Sequence, residues 1–121
     1  GNQGATAIAD ALQFNAALTN LDLYGNQIGD KGAIAIAEAL KVNGALTNLE
    51  LYGNQIGDKG AIAIAEALKV NGALNRRGPE GQRPRHVLTK LDLGANRVGD
   101  QGATAIADAL KFNDALTELQ L

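Results

Sequence analysis

The 121-residue sequence predicts an α/β solenoid, with short parallel strands along one side and helices along the other. Three observations carry this. Residues 18–45 and 46–73 differ only at Asp22 against Glu50, a self-similarity with a period of 28 residues, and 88–115 carry the same pattern again. Inside each unit the hydrophobic period switches from two to 3.6. A unit of this size cannot bury a core by itself, whereas stacked units can.

Each element follows from its own residues. In "LTNLDLYGN" the apolar Leu21 and Leu23 alternate with Asn20, Asp22 and Tyr24, which predicts a short strand with one covered face. In "DKGAIAIAEALKVNG" the residues Ala33, Ile36, Ala37 and Leu40 fall at i, i+3, i+4 and i+7, one apolar helical stripe. Asp30 is placed to cap the start of its own helix, and Asn43-Gly44 to end it with a left-handed residue.

The stacking order also reads from the chain. Residues 1–17 are the back half of an earlier unit, 18–45, 46–73 and 88–115 are full units, and 116–121 are the front of a last one. The segment 74–87 is then an insertion in a single domain. It holds both prolines, the sole histidine and four of the five arginines. Four arginines against one glutamate give it a formal +3, leaving seven basic against twelve acidic residues, or −5, for the rest. Lengthening a surface loop at this helix-to-strand junction costs only ~1.3 kcal/mol of closure entropy. Pro79 between glycines marks a turn, and Pro84 argues against a regular hairpin arm, so an irregular loop is expected.

The segments "LTNLDLYGNQI", "LTNLELYGNQI" and "LTKLDLGANRV" resemble the leucine-rich-repeat pattern LxxLxLxxNxL, with Ile28, Ile56 and Val98 in the last apolar position. The "GD" turn and the Ala-rich helix resemble the ribonuclease-inhibitor-like class, which also occurs in nucleotide-binding leucine-rich-repeat receptors. The resemblance implies a horseshoe arc with strands on the concave face, where family members bind other proteins. It further implies that Asn26, Asn54 and Asn96 form an internal ladder, since a side-chain amide can satisfy both donors and acceptors of buried turns. On this geometry the partner-binding face displays Asn20, Asp22, Tyr24, Asn48, Glu50, Tyr52, Lys90 and Asp92, with Glu118 and Gln120 beyond. Tyr24 and Tyr52 serve there either as binding anchors or as a cross-strand pair, and Gly94 interrupts their row.

Several functions are poorly provided for. "GNQIGDKG" echoes a phosphate-binding loop, but its glycine spacing is too short, an aspartate precedes the lysine, and a glycine replaces the magnesium-binding hydroxyl. The chain has no serine or cysteine and one histidine, which disfavours nucleophilic catalysis. Asp22, Glu50 and Asp92 align across strands as surface carboxylates, and His86 lacks companion metal ligands. No cofactor, metal or catalytic residue is expected. Without cysteine, a signal peptide, a long apolar run or a glycosylation sequon, the sequence points to the cytoplasm and away from membranes. Gly1 as first residue and the lack of methionine point to a trimmed or excised piece.

A non-enzymatic protein-interaction module is therefore expected. The alternative is a structural or designed scaffold, without a natural ligand, that carries a grafted or inserted loop. The inserted residues Arg76, Arg77, Arg83, Arg85 and His86 form a second candidate contact, suited to carboxylate or phosphate. Nucleic acid is disfavoured because four charges without an aromatic give weak, salt-sensitive attraction that an acidic arc opposes. The strand at 116–121 has no following helix over Leu119 and Leu121, which predicts end-to-end self-association.

Overall fold

The structure, a computed structural model, describes residues 1–74 and 87–121. Helices and strands alternate: α1 (Asn2–Leu12), β1 (Asn20–Asp22), α2 (Asp30–Leu40), β2 (Asn48–Glu50), α3 (Asp58–Leu74), β3 (Lys90–Asp92), α4 (Asp100–Leu110) and β4 (Glu118–Gln120). The strands form one parallel sheet in the order β1-β2-β3-β4, and each helix packs on its sequence neighbours. The register is one repeat per strand, with Leu21, Leu49, Leu91 and Leu119 in line. No helix among the described residues is long and apolar enough to cross a membrane.

The core lies between the sheet and the helices and is sealed best in the middle of the stack. Ala33, Ile36, Ala37 and Leu40 of the α2 stripe are fully buried, as are Leu49, Leu51, Ile56, Ile64 and Leu68. Each such leucine or isoleucine contributes about 1.5–3 kcal/mol of transfer free energy. Leu21 and Leu119, on the outer strands, are only partly buried because each has a neighbour on one side alone.

The helix starts are capped across unit boundaries, contrary to the local cap expected of Asp30. The Gly29 N-cap of α2 makes no side-chain cap bond, and Asp30 belongs to the helix itself. Asp30 Oδ1 instead accepts from the backbone N–H groups of Gly57 (2.8 Å) and Gly60 (2.9 Å), at the start of α3. Asp58 does the same for Gly99 and Gly102 of α4, and Asn2 Oδ1 for Gly29 and Gly32 of α2. The physical reason is position: a residue at N1 cannot fold back onto its own first turn, but it faces the first turn of the helix packed beside it. A glycine is needed there because a Cβ at Gly60 would lie 2.8 Å from Asp30 Oδ1 and 3.0 Å from the Ala33 Cβ. The "GDKG" turn at 57–60 is thus an anion-binding helix start already filled by the Asp30 carboxylate, and the one at 29–32 is filled by the Asn2 amide oxygen.

The helix ends depart from expectation as well. Lys41 after α2 is still right-handed, at φ −66°. The chain is turned by the Asn43 side chain, whose Oδ1 accepts from Ala45 N–H (2.9 Å) and Leu46 N–H (2.8 Å). Its Nδ2 donates to the carbonyls of Leu12 (2.8 Å) and Asn15 (3.1 Å) in the previous unit. Among the described residues the positive φ angles fall instead in the strand-to-helix turns, at Gly25, Gln27, Gly53 and Ala95.

Asn71 and Asn113 repeat this arrangement, donating to the carbonyls of Leu40 and Leu68. Asn71 Oδ1 accepts from Leu88 N–H, seventeen residues on, where Asn43 reaches Leu46, three residues on. The return to the sheet is delayed there, and α3 accordingly runs on through Asn71-Gly72 to Leu74 instead of stopping where α2 does.

Candidate functional site

The outward face of the sheet is built by alternation. With Leu21, Leu49, Leu91 and Leu119 turned to the core, the flanking residues of each strand form two rows across the stack. One row is Asn20, Asn48, Lys90 and Glu118; the other is Asp22, Glu50, Asp92 and Gln120. All eight residues proposed for the face from the sequence lie on these rows or, for Tyr24 and Tyr52, just past the strand ends.

The two tyrosines are stacked on each other, with ring centroids 5.4 Å apart and planes 9° from parallel. Tyr24 remains 62% exposed and Tyr52 42%, so the pair is one aromatic slab with an open side and not two separate anchors. Such a stack adds about 0.5–1.5 kcal/mol beyond area burial. Gly94 ends the row, and the Tyr52 ring leans over it, its Cδ2 2.9 Å from where a Cβ would stand.

The carboxylates divide by length. Asp22 Oδ1 accepts from Tyr24 N–H (2.9 Å) and Asp92 Oδ1 from Gly94 N–H (2.8 Å), so both aspartates brace the turn beyond their strand. Glu50 sits between them in register, and its carboxyl is held above the ordinary carboxylate range. The charge of Asp22 is the main cause, followed by desolvation, a hydrogen bond with Asp22 and the charge of Asp92, with Lys90 opposing. Lys90 pairs with Glu118 at 3.6 Å. Asn48, Glu50, Lys90, Leu91, Asp92, Glu118 and Gln120 enclose a shallow polar hollow of about 150 Å³.

The amides that fix this face lie at its edge. Asn54 is buried; its Oδ1 accepts from Asn26 N–H and Ile28 N–H, and its Nδ2 donates to the carbonyls of Leu23 and Leu51. Asn96 Oδ1 accepts from Ile56 N–H, and its Nδ2 donates to the carbonyls of Leu51, Leu93 and Gly94. Asn26, in the first unit, donates to the Tyr24 carbonyl of its own turn. A second series, Asn43, Asn71 and Asn113, escaped the sequence reading although it recurs in "KVN" and "KFN" at the same place in every unit. The amide logic applied to Asn54 would have found it.

Arg76, Arg77, Arg83, Arg85 and His86 lie outside the described residues. Among the described residues no group of three His, Asp or Glu side chains is arranged to hold a metal ion.

A family profile described as "Leucine Rich repeat" matches residues 14–37, 45–65 and 86–107, more than half of the chain. Among curated proteins no sequence matches. Among solved structures the chain is similar to "Leiomodin-1 Actin-Binding Site 2 (ABS2)", with a TM-score of 0.81 and 30% identity over 99% of this chain and 62% of that one. The chain therefore spans less than two thirds of the length of that neighbour.

Proposed function

Since the chain belongs to the leucine-rich-repeat family, we propose that it is a non-enzymatic module that binds a protein partner across the concave, outward face of its sheet. Within the family, the "GD" turn and the Ala-rich helix support the ribonuclease-inhibitor-like class. The observation that carries the reading is the Tyr24–Tyr52 slab, which keeps a large exposed aromatic surface beside a row of charged side chains. Tyrosine surfaces of this kind dominate protein interfaces because they combine apolar area with a hydrogen-bonding tip. Asn20, Asp22, Asn48, Glu50, Lys90 and Asp92 then form the polar surround. Arg76, Arg77, Arg83, Arg85 and His86 would add a basic contact from the inserted loop.

Actin is the first partner to test, because the structural neighbour is named for an actin-binding site. The experiment is co-sedimentation with filamentous actin and native-gel shift of monomeric actin, using the intact chain, a Tyr24→Ser/Tyr52→Ser variant and a variant lacking residues 75–86. The slab variant should lose affinity by roughly tenfold or more, as removal of central aromatic anchors does. Equal binding by the intact chain and the slab variant would remove the sheet face from the mechanism. Absence of actin binding in all three, together with no protein retained from a lysate by either the intact or the slab variant, would leave the scaffold reading, which the near-identity of residues 18–45 and 46–73 also favours.

A further inference from the structure

One stretch of sequence folds in two ways within this chain. Residues 33–46 and 61–74 are identical, both reading AIAIAEALKVNGAL. In the first copy the helix stops at Leu40, and Asn43-Gly44-Ala45-Leu46 turns back to the sheet. In the second copy the same four residues, Asn71 to Leu74, remain helical. Identical residues cannot decide between a turn and a helix, so the choice is made by the chain that follows.

The turn that α3 forgoes is completed by residues further on. Asn43 Oδ1 accepts from the N–H groups of Ala45 and Leu46 at 2.9 and 2.8 Å, and Asn113 Oδ1 from those of Ala115 and Leu116, both at 2.9 Å. Asn71 Oδ1 accepts instead from Leu88 N–H at 2.9 Å. Val87 and Leu88 take the core positions of Ala45 and Leu46, with exposures of 5% and 0% against 5% and 1%. Thr89 N–H donates to the Thr47 carbonyl at 2.8 Å, as Thr47 N–H does to that of Thr19, so the approach to β3 is the ordinary one. The slot that opens the unit 88–115 is thus filled by Val87-Leu88, while Ala73-Leu74 upstream has the very sequence that fills the equivalent slot at 45–46.

We propose that Ala73-Leu74 and Val87-Leu88 are rival occupants of this one slot, so that the chain has a second packing in which α3 ends at Leu68, Leu74 replaces Leu88 in the core, and Asn71 Oδ1 accepts from the N–H groups of Ala73 and Leu74. The change moves the point at which residues 75–86 join the stack from the end of α3 to the start of β3. It does not rest on the sheet-face reading, because β3 and the Tyr24–Tyr52 slab keep their places in both packings. Asn71 Nδ2 donates to the Leu40 carbonyl as Asn43 does to that of Leu12, so the side chain is anchored whichever pair it accepts from. The packing described above gains a buried valine in place of alanine and extra helical turns. Against it stand Asn71 and Gly72, both poor residues inside a helix. Asn43 also donates to the Asn15 carbonyl at 3.1 Å, and the corresponding bond from Asn113 to Asn71 is not made among the described residues. Lengthening the connection from 75–86 to 75–88 changes its closure entropy negligibly.

The test is urea unfolding of the full chain carrying Leu46→Ala, Leu74→Ala, Leu88→Ala or Leu74→Ala/Leu88→Ala, together with the Cα chemical shifts of each protein. Leu46 and Leu88 are equally buried at equivalent places, so without a rival the two truncations lower the midpoint alike. With one, Leu88→Ala should lower it by less than about half as much as Leu46→Ala, because Leu74 fills the vacated slot. The double variant should fall further than the two single falls together, the mark of two residues that substitute for each other. In Leu88→Ala the shifts of residues 71–74 should move from helical values to those of residues 43–46. Valine replacements at the same positions give the same comparison where alanine leaves no folded baseline. Equal falls for Leu46→Ala and Leu88→Ala overturn the proposal. So do single falls that simply add in the double variant, and so does a Leu88→Ala protein whose residues 71–74 keep helical shifts.

Discussion

The carboxylate of Asp30 lies 2.9 Å from the backbone nitrogen of Gly60, thirty residues ahead, at the start of the next helix. It also accepts from Gly57, so one side chain satisfies two of the amide groups that a helix start leaves without intrahelical partners. A carboxylate is favoured there by the helix dipole as well as by the two bonds.

Asp58 makes the equivalent pair of bonds to Gly99 and Gly102, at 2.8 and 2.9 Å. Asp58→Ala should destabilise the fold by about 1–2 kcal/mol, the usual cost of a lost helix cap. Asp58→Asn should retain most of the stability, because Asn2 serves α2 with an amide oxygen. Urea unfolding of the three proteins at one pH checks the order; an unchanged midpoint in Asp58→Ala would show that the bonds contribute nothing, and equal loss in both variants that an amide cannot replace the carboxylate here.

Asn54 is 6% exposed and satisfies two N–H groups and two carbonyls at once. Asn54→Ala should cost about 2–4 kcal/mol, since buried partners are left unpaired and not merely one bond is lost. Asn54→Asp should be at least as damaging at neutral pH, because a carboxylate oxygen would replace the Nδ2 donor facing the Leu23 and Leu51 carbonyls. The midpoint of chemical unfolding reads both.

Ala95 holds φ at 51° in a turn where Gly25 and Gly53 occupy the same place in their units at 66° and 73°. An L residue with a Cβ is strained there. Ala95→Gly should therefore stabilise the protein by roughly 0.5–1 kcal/mol, a net of relieved strain and greater unfolded-state entropy. A fall in thermal midpoint would contradict this.

Glu50 carries a carboxyl pushed upward by Asp22. A group whose pKa is higher folded than unfolded binds more protons when folded, so its ionisation destabilises the fold as pH rises. The pH window opens at the ordinary glutamate range and extends upward to the raised value. Glu50→Gln should accordingly gain stability relative to the parent as pH rises through that window, and added salt should shrink the difference because the carboxylates keep contact with solvent. Parallel melting curves from acid to neutral pH decide it.

The fold was legible because burial is written locally. Leu21 and Leu23 at a spacing of two, and Ile36 and Leu40 at helical spacing, must turn to one side wherever the chain goes, and the repeat then supplies the neighbours. The outward rows were legible for the same reason, since Asp22, Glu50 and Asp92 occupy one register position. What the sequence could not reveal is which helix a polar side chain serves. Asp30 at a helix start reads as a local cap, and only the packing of α2 on α3 places its oxygen against Gly60. Asn43-Gly44 likewise reads as a left-handed stop, yet the amide of Asn43 reaches Leu12, on the helix before. Stacking of Tyr24 on Tyr52 in preference to separate display depended on ring orientation, which no pattern of residue types encodes.

The cap in trans bears on how such a chain can lengthen. A unit cut at the period carries at one margin the carboxylate its successor needs and at the other the glycine cradle its predecessor needs. A tandem copy therefore arrives with both fittings and joins without any compensating change. Removing residues 46–73 would bring Asp30 opposite Gly99 and Gly102, the same joint that Asp58 makes now. Interchangeable joints of this kind explain how two units can remain alike at every position but one, because duplication alone yields a working neighbour.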